Sequence, residues 1–177
     1  MSGNIDIFVI DQIGDGRLAT SAHPAAAGDP ATNIEAVAAA GFQQVVSLLE
    51  PAEAESLGLE REVRLVETRD MRFVSFPIAD FSEPVSVSAF AALSQRIYRD
   101  LQAGRSTLVH CRGGVGRSGL LAVAVLIQGG MSVQDAISLV TRKRGKPSPE
   151  TGQQSQWLET NAVRLRTRSE QATEGSI

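Results

Sequence analysis

Short runs of apolar and β-branched residues recur along the chain and predict its strands. The first two runs flank a Gly-Asp-Gly turn at residues 14–16, an arrangement typical of a β-hairpin. The later runs are separated by longer segments and end near glycine, proline or charged residues. We therefore predict strands over residues 4–10, 17–19, 42–49, 72–78 and 107–109.

Between these strands, apolar residues recur at three- and four-residue steps, which predicts helices. Asn33 is a candidate cap for a helix that ends at Gly41, and Ser86 or Ser88 for a longer helix that ends at Gly104. Residues 53–67 mix charged and apolar positions and predict a solvated helix or a pair of turns. Further helices are predicted over 120–127, after Ser132, and over about 151–167.

Strands that alternate with helices in this way predict an α/β fold. The expected architecture is a single domain with a central, mostly parallel sheet and helices on both of its faces. The length of 177 residues is sufficient for one such domain, which we place at residues 1–168. The polar residues 169–177 are expected to form a flexible C-terminal tail.

Composition and charge narrow the possible functions. Hydrophobic residues make up 42% and charged residues 21%, the net charge is −3, and the isoelectric point is near 5.4. An acidic chain lacks the general basic field that draws proteins to nucleic acid or to anionic membranes. We find no apolar run of the roughly 20 residues that span a bilayer and no secretory signal. We therefore expect a cytoplasmic protein that binds neither nucleic acid nor a membrane.

The chain contains one cysteine, Cys111, and two histidines, His23 and His110. One cysteine cannot form an internal disulfide, and these three residues do not have the spacing of a metal site. We accordingly predict no metal and no cofactor. Cys111 is then either a packed core residue or a reactive one, and its neighbours favour the second interpretation.

The most informative segment is Val109-His110-Cys111-Arg112-Gly113-Gly114-Val115-Gly116-Arg117-Ser118-Gly119, between a predicted strand and a predicted helix. Its three inner glycines allow backbone N–H groups to turn inward together and to form a nest for an anion. The positive end of the following helix dipole adds to this field. Such a loop fits a phosphate group.

These residue types also suit phosphoryl transfer. An electropositive loop favours the thiolate form of Cys111, which is the nucleophilic form. Arg117 can donate two parallel hydrogen bonds to phosphate oxygens and would gain strength as charge spreads over them in the transition state. Ser118 can donate a hydrogen bond to the sulfur and so help the thiolate leave in a second step.

The pattern His-Cys, five residues, Arg-Ser resembles the signature loop of the protein tyrosine and dual-specificity phosphatases. The resemblance implies a phosphatase that forms a cysteinyl-phosphate intermediate, with Cys111 as nucleophile. His110 is interpreted as a residue that organises the loop and tunes the thiolate, with a general base as the alternative. Phosphate would be bound by the loop residues Arg112, Gly113, Gly114, Val115, Gly116 and Arg117.

Two further segments resemble the same family. Phe76-Pro77-Ile78-Ala79-Asp80 is similar to its acid loop, and Asp80 lies 31 residues before Cys111. This implies that Asp80 protonates the leaving oxygen and then acts as the base for water. Glu150-Thr151-Gly152-Gln153-Gln154 resembles the segment that positions this water, which implies a supporting role for Gln154, although Glu150 departs from the usual glutamine.

In its layout the chain most resembles kinase-associated phosphatase-like bacterial members, through residues 18–24, 77–80 and the pair Arg144-Gly145. The implied substrate is a phosphorylated protein, with phosphotyrosine and also phosphoserine or phosphothreonine as targets, or a small phosphate ester. The sequence leaves the choice among these substrates and the oligomeric state open.

Other interpretations of the same residues remain. A rhodanese-like sulfurtransferase also places a cysteine in an anion-binding loop, and a non-catalytic phosphoprotein-binding module would retain the pocket. Phosphoinositide hydrolysis is less favoured because Arg112 is the only basic residue between Cys111 and Arg117. Asp80 could instead be a turn residue. The basic run at residues 142–146 is interpreted as a solvated helix end, with contact to an anionic substrate as the alternative.

Overall fold

The computed structural model describes residues 4–166 of the chain, and these residues form five strands and seven helices. The predicted tail, residues 169–177, lies outside the described residues. The strands are β1 (Phe8–Ile13), β2 (Gly16–Ser21), β3 (Gln44–Ser47), β4 (Arg72–Ser75) and β5 (Thr107–His110). The helices are α1 (Pro30–Ala39), α2 (Pro51–Ser56), α3 (Glu62–Glu67), α4 (Val87–Gln102), α5 (Gly116–Gln128), α6 (Val133–Arg144) and α7 (Gly152–Arg166).

The five strands form one sheet in the order β1-β2-β5-β3-β4. β1 and β2 pair antiparallel around the predicted turn, and the other neighbours pair parallel. The first strand begins four residues later than predicted, and a register shift between Val9 and Asp11 marks a bulge in it. The mostly parallel α/β sheet is confirmed.

The N-terminal capping residues of two helices are as predicted, and that of a third helix differs from the prediction. The hydroxyl oxygens of Ser86 and Ser132 accept backbone N–H groups at the starts of α4 and α6. The cap of α1, however, is Asp29, four residues before the predicted Asn33, and Pro30 occupies the first turn. Asn33 is buried inside the helix, where its side chain bonds to the backbone of the segments before it.

Helices cover both faces of the sheet. On one face, α4, α5, α6 and α7 contribute to a large apolar core together with residues of β2, β3 and β5. On the other face, α1 and α3 enclose a smaller cluster. Helix α5 is buried along nearly its whole length, as its apolar sequence predicts. None of the described helices is long and apolar enough to cross a membrane.

The topology brings three loops to one edge of the sheet. β3, β4 and β5 are parallel neighbours, and Ser47 of β3 is level with both Ser75 of β4 and His110 of β5. The segments that follow these three strands therefore leave the same edge side by side, where ligands bind in open α/β sheets. They are the segment that leads into α2, the predicted acid loop, and the glycine-rich loop.

Candidate active site

The glycine-rich loop connects β5 to α5, and Cys111 is its first residue. The cysteine is 2% exposed and free. Gly114 has a φ of +67°, and a Cβ atom there would lie 2.2 Å from the carbonyl oxygen of Ser21. Only glycine fits this left-handed position against β2. The loop is thus packed tightly against the end of β2.

Ser118 lies in the first turn of α5, fully buried, beside the cysteine. Its Oγ is 3.5 Å from the Cys111 Sγ. The hydroxyl can donate to a thiolate from this position, and the positive end of the α5 dipole acts on the same atom. In the structure the Cys111 thiol donates to Ser118 Oγ, and the predicted donation from the hydroxyl to a thiolate stays a prediction.

Arg117 also lies in the first turn of α5, and it is only 1% exposed. Its Nη1 donates to the Ile78 carbonyl oxygen at 2.9 Å. Its Nη2 lies 2.9 Å from Asp80 Oδ1. The guanidinium thus connects the predicted acid loop to the glycine-rich loop and brings together residues that are far apart in the sequence.

Glu53 is the principal partner of Arg117, and it was missed in the sequence. Its two carboxylate oxygens accept from Nη1 at 2.7 Å and from Nη2 at 2.9 Å, a bidentate arrangement. Glu53 lies in α2, within the segment that was predicted to be solvated. The position of Glu53 shortly after a buried parallel strand was a usable signal. The site could be recognised from this position only with the knowledge that β3 adjoins β5.

The charges of this pair are mutually stabilised. Hydrogen bonding from Arg117 lowers the pKa of Glu53, although partial burial acts in the opposite direction. For Arg117, burial opposes the charge, but the hydrogen bonds to Glu53 and the nearby Cys111 and Asp80 charges raise its pKa overall. The guanidinium remains a cation inside the protein.

Asp80 is the more exposed of the two acidic partners, with 39% of its side chain exposed against 10% for Glu53. Its Oδ1 also accepts the backbone N–H of Phe81 at 3.1 Å. Phe81 has a left-handed φ of +57° and is exposed beside the acid. The acid loop is therefore anchored through its backbone at Ile78 while the carboxylate faces solvent.

The family of the chain follows from its sequence as a whole. Residues 34–162 match the model of the family described as "Dual specificity phosphatase, catalytic domain". The chain belongs to the dual specificity phosphatase family. The matched region contains the acid loop, the catalytic loop and Gln154, so the predicted family and enzyme class are confirmed.

Solved structures show the same fold. This phosphatase is 33% identical to Tk-PTP in its active form. The match covers 89% of this chain and 97% of that chain, with a TM-score of 0.74. Kinase-associated phosphatase, solved with its catalytic-site cysteine replaced by serine, is 21% identical over 94% of this chain and 99% of that one, with a TM-score of 0.84. PTPMT1 in complex with PI(5)P is 17% identical over 92% and 98%, with a TM-score of 0.75.

Gln154 of this phosphatase is fully buried, and the backbone holds both ends of its amide. Its Oε1 accepts the N–H groups of Glu150 and Thr151, and its Nε2 donates to the Ser82 carbonyl oxygen at 3.1 Å. The side chain thereby ties α7 to the acid loop. The implied role in positioning water stays a prediction.

The basic run at residues 142–146 is not uniformly solvated. Arg144 is 6% exposed, stacks over the Phe8 ring at 3.7 Å and donates from Nη2 to the Gly113 carbonyl oxygen at 3.4 Å. The prediction of a solvated helix end was therefore wrong for Arg144, because α6 packs against β1 beside the catalytic loop. Arg112 and Gly113 are exposed at the rim of the loop.

His110, the last residue of β5, is fully buried and directly precedes Cys111. Its Nε2 lies 2.6 Å from a carboxylate oxygen of Glu62 in α3. His23, by contrast, follows β2 and is half-buried, and its backbone N–H donates to the Arg112 carbonyl oxygen at 3.3 Å.

No group of three or more potential metal-ligating side chains occurs within residues 4–166.

Proposed function

We propose that this phosphatase hydrolyses phosphate monoesters on proteins through a cysteinyl-phosphate intermediate formed on Cys111. The observation that carries the proposal is the convergence of Cys111, Ser118, Arg117 and Asp80 at the carboxyl edge of the sheet. A buried cysteine at a helix N-terminus beside a cationic guanidinium has the environment of a nucleophile rather than of core packing.

In the first step, the Cys111 sulfur attacks phosphorus as the ester P–O bond breaks. Arg117 Nη2 is shared between Glu53 and Asp80 before substrate arrives. The substrate phosphate takes the place of the more exposed Asp80 carboxylate, while Glu53 keeps the guanidinium oriented. Once it has left the guanidinium, Asp80 takes up a proton from solvent and gives this proton to the leaving oxygen, while Arg117 stabilises the charge on the phosphoryl oxygens.

In the second step, water attacks the phosphocysteine and the S–P bond breaks. Asp80, now deprotonated, accepts the proton of this water, and Gln154 helps to place the water. The leaving thiolate is stabilised by the Ser118 hydroxyl at its distance of 3.5 Å. The products are inorganic phosphate and the free enzyme, and the step requires neither an oxidant nor a reductant.

The proposed substrates are proteins that carry phosphotyrosine, and also phosphoserine or phosphothreonine. The family supports phosphorylated substrates in general. The solved complex of PTPMT1 with PI(5)P shows a phosphoinositide bound to a protein of the same fold, but at 17% identity it supports the fold alone. With Arg112 as the only exposed cation of the loop, we favour phosphoproteins over polyanionic lipid headgroups.

The test is hydrolysis of an aryl phosphate by the wild type and by Cys111→Ser, in chelator and reductant. We expect turnover by the wild type, no turnover by the variant, and a phosphoryl group on the wild-type protein after rapid denaturation during turnover. Equal activity of both proteins would exclude Cys111 as nucleophile. If neither protein turns over, thiosulfate sulfurtransfer and phosphopeptide binding by the wild type should be measured next.

A further inference from the structure

We propose that the open edge of the sheet at β4 is a docking site for an extended segment of the phosphoprotein substrate in which basic and acidic residues alternate. The segment pairs with β4 as a further strand. It places its basic side chains on one face of the sheet and its acidic side chains on the other. The inference rests on the proposed function and specifies the class of phosphoprotein that the enzyme takes.

The backbone of β4 is free on one side. β4 is the last strand of the sheet and pairs with β3 alone. The N–H groups of Arg72 and of Phe76, which follows β4, donate to carbonyl oxygens at the ends of β3. Because successive residues of a strand direct their backbone groups to opposite sides, Phe73 and Ser75 present theirs outward, where no described residue accepts from them. Such an edge can accept another strand.

On one face of the sheet, a groove of about 460 Å³ lies between β4 and α4. Phe76 and Leu93 contribute to its apolar floor, and Arg96 and Arg99 are exposed at its rim. Neither arginine forms an ion pair with a described residue, and no acidic side chain is among the described residues that line the groove. The groove therefore offers two positive charges to acidic side chains of a bound strand.

The positive charge of this groove is not cancelled by its surroundings. The acidic residue of α4, Asp100, is already paired with Arg72 and Arg105. It is therefore not available to neutralise Arg96 and Arg99. The chain as a whole has a net charge of −3, so this surface is opposite in sign to the rest of the protein.

On the other face, the same edge borders a cavity of about 370 Å³ that has the opposite charge. Leu59, Val63 and Phe73 line it, and Glu55 and Glu60 are exposed at its rim. Neither of these two carboxylates forms an ion pair with a described residue, and the described lining includes no lysine or arginine. A lysine side chain suits such a cavity, because its alkyl stem can lie on apolar surface while its ammonium group meets a carboxylate.

The two faces together define the occupant. A strand directs successive side chains to opposite faces, so a strand added to β4 needs charges of alternating sign. A second copy of β4, with the sequence Arg72-Phe73-Val74-Ser75, has no acidic side chain for the groove. A substrate segment is favoured because β4 leads directly into the acid loop. Asp80 follows Ser75 by five positions, which is at most about 17 Å of extended chain.

The experiment measures the binding of phosphotyrosine peptides to the Cys111→Ser protein by fluorescence anisotropy, so that it does not depend on turnover. Two peptides carry, five residues from the phosphotyrosine, three lysines and three glutamates that either alternate or form two blocks. Their composition and net charge are identical. A second pair has the segment on the other side of the phosphotyrosine. We expect the alternating peptide of at least one pair to bind about tenfold more tightly than its block counterpart, as several ion pairs acting together would give.

Two further variants assign this preference to the edge. Arg96→Glu combined with Arg99→Glu should abolish it and should strengthen the binding of a peptide whose segment is lysine alone. Ser75→Pro removes an outward N–H, which an edge strand tolerates, and should reduce the preference, whereas Ser75→Ala keeps the N–H and should retain it. With Cys111 intact, each variant should hydrolyse an aryl phosphate at the wild-type rate.

Equal affinities within both peptide pairs, or a preference that survives the reversal of both arginines, overturns the proposal. A dimer that Ser75→Pro converts to a monomer, without any preference among the peptides, would also overturn it, since the edge would then belong to a second copy of the chain. None of these outcomes affects the comparison of aryl phosphate turnover by the wild type and by Cys111→Ser. Failure of this inference and failure of the proposed function can therefore be distinguished.

Discussion

Arg117 combines a full positive charge with almost complete burial, and this combination defines the site at the scale of single residues. A buried guanidinium is tolerated only when its hydrogen bonds are satisfied. Here Glu53, the Ile78 carbonyl and Asp80 provide those partners before substrate binds. The guanidinium is thus held in place in advance, with Asp80 as its more exposed partner.

Glu53→Gln should impair catalysis by removing the charged, bidentate support of Arg117. We expect kcat/KM for an aryl phosphate to fall by at least about tenfold, since small misplacements of a catalytic group cost up to about 10²-fold. The matched control is Glu55→Gln, an exposed position in the same helix. Steady-state kinetics of both variants measure the effect, and similar values for the two would show that Glu53 does not support the reaction.

Asp80→Asn tests the proposed general acid. The substitution keeps the size of the side chain but removes its proton, so kcat should fall by between about 10²- and 10⁴-fold for phenyl phosphate. The loss should be much smaller for nitrophenyl phosphate, whose leaving group needs less protonation. Glu83→Gln, in the same loop, serves as the control. An equal loss for both substrates would contradict the assignment of Asp80.

At the scale of elements, the start of α5 is fixed by close backbone packing. Gly119 faces Ser148, and a Cβ atom at Gly119 would lie 2.0 Å from the Ser148 Oγ. That hydroxyl donates to the Val115 carbonyl oxygen at 2.6 Å, within the catalytic loop. The segment before α7 therefore clamps the loop against the helix, and the clamp requires a glycine.

Gly119→Ala should displace this clamp. We expect a loss of about 1–3 kcal/mol in the free energy of unfolding, as for other overpacked sites, together with reduced activity. Gly152→Ala is the control, because a Cβ atom there meets nothing within 4 Å and its φ is not left-handed. Urea denaturation of both variants gives the comparison. A Gly119→Ala protein as stable as Gly152→Ala would show that Ser148 yields without cost.

At the scale of the whole molecule, the long-range ion pair between α2 and α5 connects stability to pH. The pKa of Glu53 is lowered in the folded protein, chiefly by hydrogen bonding from Arg117. The unfolded chain therefore binds the proton more readily than the folded chain does. The resulting stabilisation is present above the ordinary value of 4.5 and is lost as the pH falls through the lowered value.

This linkage predicts a difference between the wild type and Glu53→Gln. The wild type should be the more stable protein at pH 7, and the two unfolding free energies should converge as the pH falls below about 4.5. Urea denaturation at a series of pH values measures both curves, and the difference between them isolates Glu53 from the other acids. A difference that is constant down to pH 3 would refute the linkage.

The sequence by itself determined the order of elements and the catalytic loop. Strand alternation, serine caps and the glycine spacing around Cys111 are local patterns, and local backbone preferences and chemistry set them. The resemblance then supplied Asp80, which the structure places beside Arg117. Motifs of this kind can be found in sequence because their residues are near one another or have a fixed spacing.

Only the tertiary structure decided which residues meet across the fold. Glu53 and Arg117 are 64 positions apart, and Glu62 reaches His110 only because α3 packs beneath the edge of the sheet. The order β1-β2-β5-β3-β4 and the burial of Arg144 were also beyond the sequence. A charged residue on a short helix has the same local pattern whether it faces water or a buried cation. The difference arises from long-range packing, which no local pattern records.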